Sequence, residues 1–304
     1  MDEFLNKIHL IDALELMRKL PPNSIDLVLT DPPYFLDKMD NNWDSNTVAK
    51  VTQTGIVKSM PPGMKFSKQQ GIDFYNWFRD VSIEIIRILK PGGFFFSFSS
   101  PRLYHRLVSA IDDSGFWIRD SFVWIYPHSQ PKAMSLNHFL KKMDIDPDQK
   151  TILSEKLKNW KTPQIKSCFE PIVMAQKPTE GTFIENFIKF KTGLVNSSVK
   201  IGNSLFPANV MKTEESGDLL DNYFLLSKPS IREKGTYNHH KTVKPLQLCE
   251  YIITLTTFDE ESVVLDPFAG SGTTLLAAKI HSRNYIGCDI NNEYIEVAKK
   301  RLNI

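Results

Sequence analysis

The sequence predicts an α/β protein built on a mostly parallel sheet, with a polar, basic segment set into it. Two aliphatic runs, Ile25 to Thr30 and Ser262 to Leu265, read as buried parallel strands because they are near-continuously apolar. Each leads into a distinctive loop, Asp31-Pro32-Pro33-Tyr34 after the first and Asp266-Pro267-Phe268-Ala269-Gly270-Ser271-Gly272-Thr273-Thr274 after the second. Loops at the carboxyl ends of such strands are where open α/β sheets bind ligands. Between these two landmarks the regular pattern fades after Tyr126 and returns at Pro245.

Taken in order, Leu14, Leu16, Met17 and Leu20 give Asp12 to Leu20 the spacing of a short helix, ended by Pro21-Pro22. The strand Ile25 to Thr30 follows. From Phe35 to Gln70 no period is sustained, and Gly55, Pro61, Pro62 and Gly63 punctuate a long polar loop, a length that marks a functional or mobile segment. Phe74, Trp77, Phe78, Val81, Ile85 and Ile88 then form a helical stripe across Asp73 to Lys90, predicted to stop at Pro91-Gly92-Gly93. Phe94 to Ser99 reads as a buried strand, Pro101 to Ser114 as a helix stopped by Gly115, and Phe116 to Tyr126 as one or two strands. Pro127 to about Lys234 is irregular, with room for short helices at Ser135 to Met143 and Thr151 to Trp160. Helical spacing returns over Leu246 to Thr254, and strand, Gly-rich loop, helix, strand and helix complete the chain.

A chain of 304 residues with 41% hydrophobic content fills a sizeable core. The formal net charge of +2 hides an asymmetry: Ile125 to Pro245 carries 18 Lys and Arg against 12 Asp and Glu, while the remainder carries 19 against 23. The middle of the chain is therefore suited to face a polyanion. Cys168, Cys249 and Cys288 are far apart with no CxxC pair, which suggests neither a zinc site nor a disulfide framework, and His239-His240 lacks a second ligand pair. No metal is expected. Met1 to Met17 has no apolar core of signal-peptide length, and the run Phe94 to Phe98 is too short to span a membrane, so the expectation is a cytoplasmic protein without a membrane segment.

Gly270 and Gly272 sit where a strand turns into a helix, so backbone N–H groups there approach a ligand without side-chain bulk. No Lys follows the second Gly, as a phosphate-binding Walker loop requires, and only the first half of GxGxxG is matched. Asp289, 23 residues after Asp266, ends the next strand, where a carboxylate reaches a ribose diol. A nucleoside held without phosphates is left, and S-adenosylmethionine fits.

The first loop suits a different task. The exocyclic amine of adenine or cytosine is a poor nucleophile because its lone pair is delocalised into the ring. Asp31 as an acceptor for the amine N–H, with a main-chain carbonyl held rigid by Pro32 and Pro33, would pull the nitrogen toward tetrahedral geometry and aim it at a methyl group. Tyr34 would stack on a base extruded from the duplex. Taken alone the four residues read equally well as a rigid Pro-rich turn; the second loop is what favours the chemistry. Transfer to cytosine carbon-5 needs a Cys nucleophile, and none of the three cysteines lies in a Pro-Cys turn.

The order of motifs, catalytic loop, basic insertion, then cofactor loop, resembles the beta-type amino-group (N6-adenine and N4-cytosine) site-specific DNA methyltransferases along nearly the whole chain. Carrying the resemblance are Asp31 to Tyr34, Asp266 to Thr274, Gly287-Cys288-Asp289 with Tyr294 to Arg301, Ile11-Asp12-Ala13-Leu14, and Leu89-Lys90-Pro91-Gly92-Gly93. His240-Lys241-Thr242-Val243-Lys244-Pro245 is similar to the family's HPTxKP segment, with Lys241 in place of the usual Pro. Phe169 to Pro178 and Glu180 to Gly193 resemble a subgroup of prophage-type and orphan members, which places the Glu170 strand in the core sheet.

What the resemblance implies is a Rossmann-like S-adenosylmethionine-dependent methyltransferase fold with a mostly parallel seven-stranded sheet, a circularly permuted motif order and an inserted target-recognition region. Residues 1–126 would form the catalytic half, 127–234 the basic recognition region with part of the core sheet near 169–176, and 235–304 the cofactor half. Asp31, Pro32, Pro33 and Tyr34 would be catalytic. Cofactor-binding residues would be Asp12 (on the adenine) and Ala13, Thr242 and Lys244 (holding the methionine carboxylate), Asp266, Pro267, Phe268, Ala269, Gly270, Ser271, Gly272 and Thr273, and Asp289 (on the ribose) with Ile290. Lys132, Lys161, Lys166, Lys189 and Arg232 are the expected phosphate contacts, and Trp43, Trp160 and Tyr237 are candidates for groove or core.

The leading expectation is methyl transfer to adenine N6 in double-stranded DNA by base flipping. N4-cytosine methylation, transfer to RNA or protein, and a catalytically silent DNA-binding subunit are the alternatives. A homodimer and a cognate restriction endonuclease are the further partners that the resemblance suggests.

Overall fold

The computed structural model describes residues 1–33, 68–126, 133–163, 165, 167–199, 207–212, 224–225 and 243–304. The long loop expected at Phe35 to Gln70 therefore lies almost wholly outside the described residues. Strands β1 (Lys7–Leu10), β2 (Ile25–Thr30), β3 (Leu89–Phe98), β4 (Trp117–Ile125), β5 (Phe169–Gln176), β6 (Val210–Lys212), β7 (Phe224–Leu225), β8 (Val263–Asp266) and β9 (Asn284–Asp289) form one sheet in the order β1-β9-β8-β2-β3-β5-β4-β6-β7. Seven of them are the α/β sheet expected, and the three-residue β6 and two-residue β7 extend it beyond β4. From β1 through β9, β8 and β2 to β3 every pairing is parallel, and β5 then runs antiparallel to β3.

All six residues of β2 are buried, as the unbroken aliphatic run requires of a central strand covered on both faces. Helix α1 (Ala13–Lys19) starts at Asp12, whose side chain accepts from Leu14 N and Glu15 N. Helix α2 (Lys68–Ile88) buries Phe74, Phe78, Val81, Ile85 and Ile88 against the sheet, the stripe read from sequence. It ends at Ile88, not at the glycines, because β3 begins at once and carries Lys90-Pro91-Gly92-Gly93 as an irregularity: Ile25 pairs Leu89 and Leu27 pairs Phe94. Helices α3 (Tyr104–Asp112), α4 (Leu136–Leu140), α5 (Pro147–Lys156), α6 (Phe183–Phe190), α7 (Leu246–Thr256), α8 (Thr273–Ile280) and α9 (Asn292–Leu302) complete the set among the described residues.

Two elements were not anticipated from the sequence. β1 is a four-residue strand with only Ile8 buried, too short and too mixed to show a period. Helix α6 has Phe183, Ile184 and Ile188 exposed, so it shows no core stripe, although the Thr182–Glu185 capping box marks its start. It is fixed instead by buried Asn186, whose Nδ2 donates to Pro91 O (3.1 Å) and Thr192 O (3.0 Å) while its Oδ1 accepts from Glu180 N (3.0 Å).

Contacts divide the chain into Met1–Trp124 with Glu170–Ile304, and a separate unit Ile125–Phe169. The separate unit holds α4 and α5, closed by a bridge between Ser135 and Lys161, with Asp146 capping α5. The region expected at 127–234 thus contains this unit together with strands and a helix of the sheet-bearing unit. Among the described residues no helix is long and apolar enough to cross a membrane.

In the sheet, buried Asp26 accepts from Lys90 Nζ (2.8 and 2.9 Å) and from Val263 N (2.9 Å), and so ties β2 to both of its neighbours. Asp26→Ala is expected to lower the unfolding free energy by about 2–3 kcal/mol in a urea titration, because it strands a buried N–H and an ammonium; a change under about 0.5 kcal/mol would refute the tie.

Candidate active site

Because β2, β8 and β9 run parallel, their carboxyl ends deliver Asp31, Asp266 and Asp289 to one edge of the sheet. The two loops singled out in the sequence meet directly there, where Thr30 Oγ1 donates to Asp266 Oδ1 at 2.7 Å. Pro32 is buried and Asp31 and Pro33 partly so, while Tyr34 lies outside the described residues.

The Gly-rich loop is shaped by two left-handed residues, Gly270 (φ 50°) and Gly272 (φ 77°). A Cβ on Gly272 would stand 2.9 Å from Ala298 Cβ, so α9 packs against the loop only because no side chain is there. Ala269 N donates to Cys288 O (2.9 Å) and Gly270 N to Asp289 Oδ2 (3.0 Å), while Asp289 Oδ1 accepts from Asn291 N (2.8 Å). From α9, Arg301 Nη1 donates to Ser271 O (2.8 Å), Ser271 Oγ (3.2 Å) and Thr273 Oγ1 (2.9 Å). Pro267 O accepts from Cys288 Sγ at 3.2 Å. Phe268 is partly buried, its ring 5.6 Å from that of Trp77, and Ile290 beside Asp289 is 64% exposed.

Asp12 caps α1 and Ala13 is buried in its first turn, next to the β9 end, since Ile11 N donates to Asp289 O. A side-chain-free turn, carboxylates at two strand ends and an apolar side chain open to solvent make a cradle that fits a nucleoside with a cationic tail. The resemblance would place Asp266, Phe268, Gly270 and Thr273 at the methionine portion of S-adenosylmethionine, Asp289 at the ribose and Asp12 at the adenine.

The electrostatics are unusual for their concentration of buried charge. Burial pushes the Asp266 carboxyl up to about 6, against the Thr30 and Thr274 hydroxyls and the Phe268 N–H that favour its anion; nearby Asp31 adds to the rise. Burial also raises Asp289 above the ordinary carboxylate range. Lys244 Nζ stands 2.6 Å from Asp31 Oδ2 and 3.0 Å from Glu170 Oε2, with the Phe98 ring 5.0 Å away. Burial opposes the Lys244 charge, yet the two carboxylates outweigh it and hold the ammonium above its usual range. Glu170 is raised by burial and by Asp31, in spite of Lys244. Burial pushes the Cys249 thiol up to about 12 and Cys288 well above its usual value, so both stay protonated.

Glu170 and Arg301 are the site residues that motif reading passed over. Glu170 sits in a strand, and no local spacing links it to Asp31; Arg301 closes the segment Tyr294 to Arg301 that carries the resemblance, but nothing in that segment gave its side chain a role. Of the expected phosphate contacts, Lys161 is exposed in the separate unit, whereas Lys189 is paired with Glu180 at 2.6 Å and lies 4.7 Å from the Phe190 ring. Lys132, Lys166 and Arg232 lie outside the described residues, as do Thr242, Trp43 and Tyr237. Trp160 is 66% exposed and so is not a core residue.

Residues 25–300 match the family model described as DNA methylase, N6_N4_Mtase. The chain is similar to the type II methyltransferase M.HindIII of Haemophilus influenzae, 33% identical over 310 residues that cover 96% of this chain and 94% of that protein. It is 28% identical to the DNA adenine methyltransferase YhdJ of Escherichia coli, over 96% of this chain and 81% of the relative. Among solved structures, the fold is shared with the M1.HpyAVI–SAM complex (TM-score 0.55, 22% identity, 98% and 99% covered) and with the cytosine-N4-specific PvuII DNA methyltransferase (TM-score 0.59, 19% identity, 97% and 85% covered).

The raised Asp266 carboxyl has a definite pH signature. Its folded value of about 6 exceeds the ordinary 3.8, so its contribution to stability is complete below about pH 4 and is lost as the pH rises through 6. The loss amounts to about 3 kcal/mol at roughly 1.4 kcal/mol per unit. Asp266→Asn, which cannot titrate, is expected to gain on the wild type between pH 4 and 7 in thermal melts; parallel curves would refute the assignment.

Proposed function

This chain belongs to the N6/N4 DNA methylase family, and we propose that within it the protein methylates adenine N6 at a specific site in double-stranded DNA. As a member it transfers a methyl group from S-adenosylmethionine to an amino group of a DNA base. The observation that carries the reading is the junction of Asp31-Pro32-Pro33 with the Gly-rich loop through Thr30 and Asp266.

The cofactor supplies an electrophilic methyl on a sulfonium. The chain's own residues bind, orient and accept. Asp31 accepts an N–H of the target amine, and the carbonyl of a rigid Pro shares that task, which localises the nitrogen lone pair and aims it. Tyr34 stacks on the flipped base. Asp289, at the end of β9, would hold the ribose hydroxyls of the cofactor. In support of adenine, the relative YhdJ is named as an adenine enzyme.

Duplex recognition falls to the basic middle of the chain, including the separate unit Ile125–Phe169, with Lys161 on the phosphates and exposed Trp160 at hand to enter a groove. A second copy of the chain and a cognate endonuclease are the further partners of this reading, and the cytoplasm is its setting.

Incubation with isotopically labelled S-adenosylmethionine and unmethylated genomic DNA, followed by digestion to nucleosides and mass spectrometry, should yield labelled N6-methyladenine. Labelled N4-methylcytosine would change the base and keep the mechanism. Asp31→Ala should cut turnover by about 10²-fold or more with cofactor affinity unchanged, whereas Asp289→Ala should weaken cofactor binding in calorimetry. Lys161→Ala should weaken binding to all duplexes alike and lower the salt slope by about one, while Lys189→Ala, already neutralised by Glu180, should change it much less.

A further inference from the structure

We infer that Lys244 is a positioning residue for Asp31 and that Glu170 holds Lys244 in place, so that the three form one buried charge cluster instead of Lys244 serving the methionine carboxylate. The inference rests on the proposed role of Asp31 as acceptor for the target amine.

Strand direction accounts for how Glu170 reaches the site. β5 runs antiparallel to β3, with Phe98 opposite Ile172 and Ser99 N donating to Pro171 O. A strand running this way begins where its parallel neighbours end, so its second residue, Glu170, arrives at the edge that carries Asp31. Lys244 comes from the segment just before α7, and its side chain is only 9% exposed. The three residues are far apart in sequence and come from different elements.

A lysine is a flexible point charge, and one salt bridge leaves its ammonium able to swing between rotamers. Contacts of 2.6 Å to Asp31 and 3.0 Å to Glu170, with the Phe98 ring at 5.0 Å, hold Nζ from three sides. Such burial is tolerable only because the counter-charges are present. For Asp31 the result is a side chain fixed in place by the ammonium at 2.6 Å, and so positioned to accept an N–H. With Nζ already in contact with Asp31 and Glu170, two of its three N–H donors are engaged inside the cluster instead of being turned to the carboxylate of methionine.

The test uses the full-length protein with S-adenosylmethionine and unmethylated duplex DNA. Lys244→Met should lower the single-turnover rate at saturating cofactor by about 10²-fold while the cofactor Kd, by calorimetry, stays within about threefold. Glu170→Gln should lower the rate by about tenfold, and this loss should vanish in the Lys244→Met background because Glu170 acts only through Lys244. A Lys244→Met protein that binds cofactor more than about tenfold more weakly but keeps its saturated rate would overturn the inference in favour of a methionine contact. An undiminished Glu170→Gln loss in the Lys244→Met background would overturn the part given to Glu170.

Should Lys244→Met fail to fold, Lys244→Arg decides: retaining the charge, it should keep part of the rate and the wild-type cofactor Kd, and a raised Kd would count against the inference. Should the wild type itself transfer no methyl to DNA, the functional reading fails but the cluster is still tested. Asp31→Asn and Glu170→Gln, alone and together, should then shift the melting temperature non-additively, and additive shifts would overturn it.

Discussion

The active edge depends on β2 lying beside β8 in parallel. That adjacency brings Thr30 within 2.7 Å of Asp266, although 236 positions separate them in the chain. Everything specific to the site follows from it: Asp31 extends from one strand end, the Gly-rich loop from the other, and their separation is fixed by the sheet. Asp26 secures β2 to β8 again, and to β3 as well, at the opposite end of β2, where it takes hydrogen bonds from Lys90 and Val263. The fold therefore clamps β2 at both ends before any ligand is considered.

Buried charge is the cost of this arrangement. Asp266 is raised to about 6 by desolvation, and Asp31, Glu170 and Lys244 share one small volume. A core of well-packed apolar groups would be more stable than such a cluster, and strain of this kind concentrates where a protein does chemistry. The scaffold around it is correspondingly apolar, with Phe74, Phe78, Phe95 and Phe116 joining α2 and β3 in one core. Arg301 extends the same logic to the cofactor loop, where one guanidinium nitrogen holds three oxygens of Ser271 and Thr273.

Much of the fold was legible because the signals are local. Helical stripes such as Phe74 to Ile88 and unbroken runs such as Ile25 to Thr30 follow directly from which face must be buried. Legibility failed where burial was weak. β1 has a single buried residue and leaves no period, whereas in α6 the apolar residues Phe183, Ile184, Phe187 and Ile188 do recur at helical spacing, with most of that stripe turned outward instead of into the core; the Thr182–Glu185 pair marks its start. The Pro91-Gly92-Gly93 stop was read as a helix end, yet it is a bulge inside β3, because the strand resumes pairing with β2 on either side of it.

By itself the sequence determined the two loops, the strands that present them and the family to which they belong, because each is a contiguous string whose role depends on its own backbone: glycines that accept positive φ, prolines that stiffen a carbonyl, a carboxylate at a strand end. Which charges meet was decided only by tertiary structure. Glu170 faces Lys244 and Asp31 because β5 runs against β3, and Lys189 is spent on Glu180 because α6 caps back on its own loop. The reason is physical: an ion pair reads distance in space, and that distance is set by strand order, direction and register, none of which is carried by the residues that form the pair.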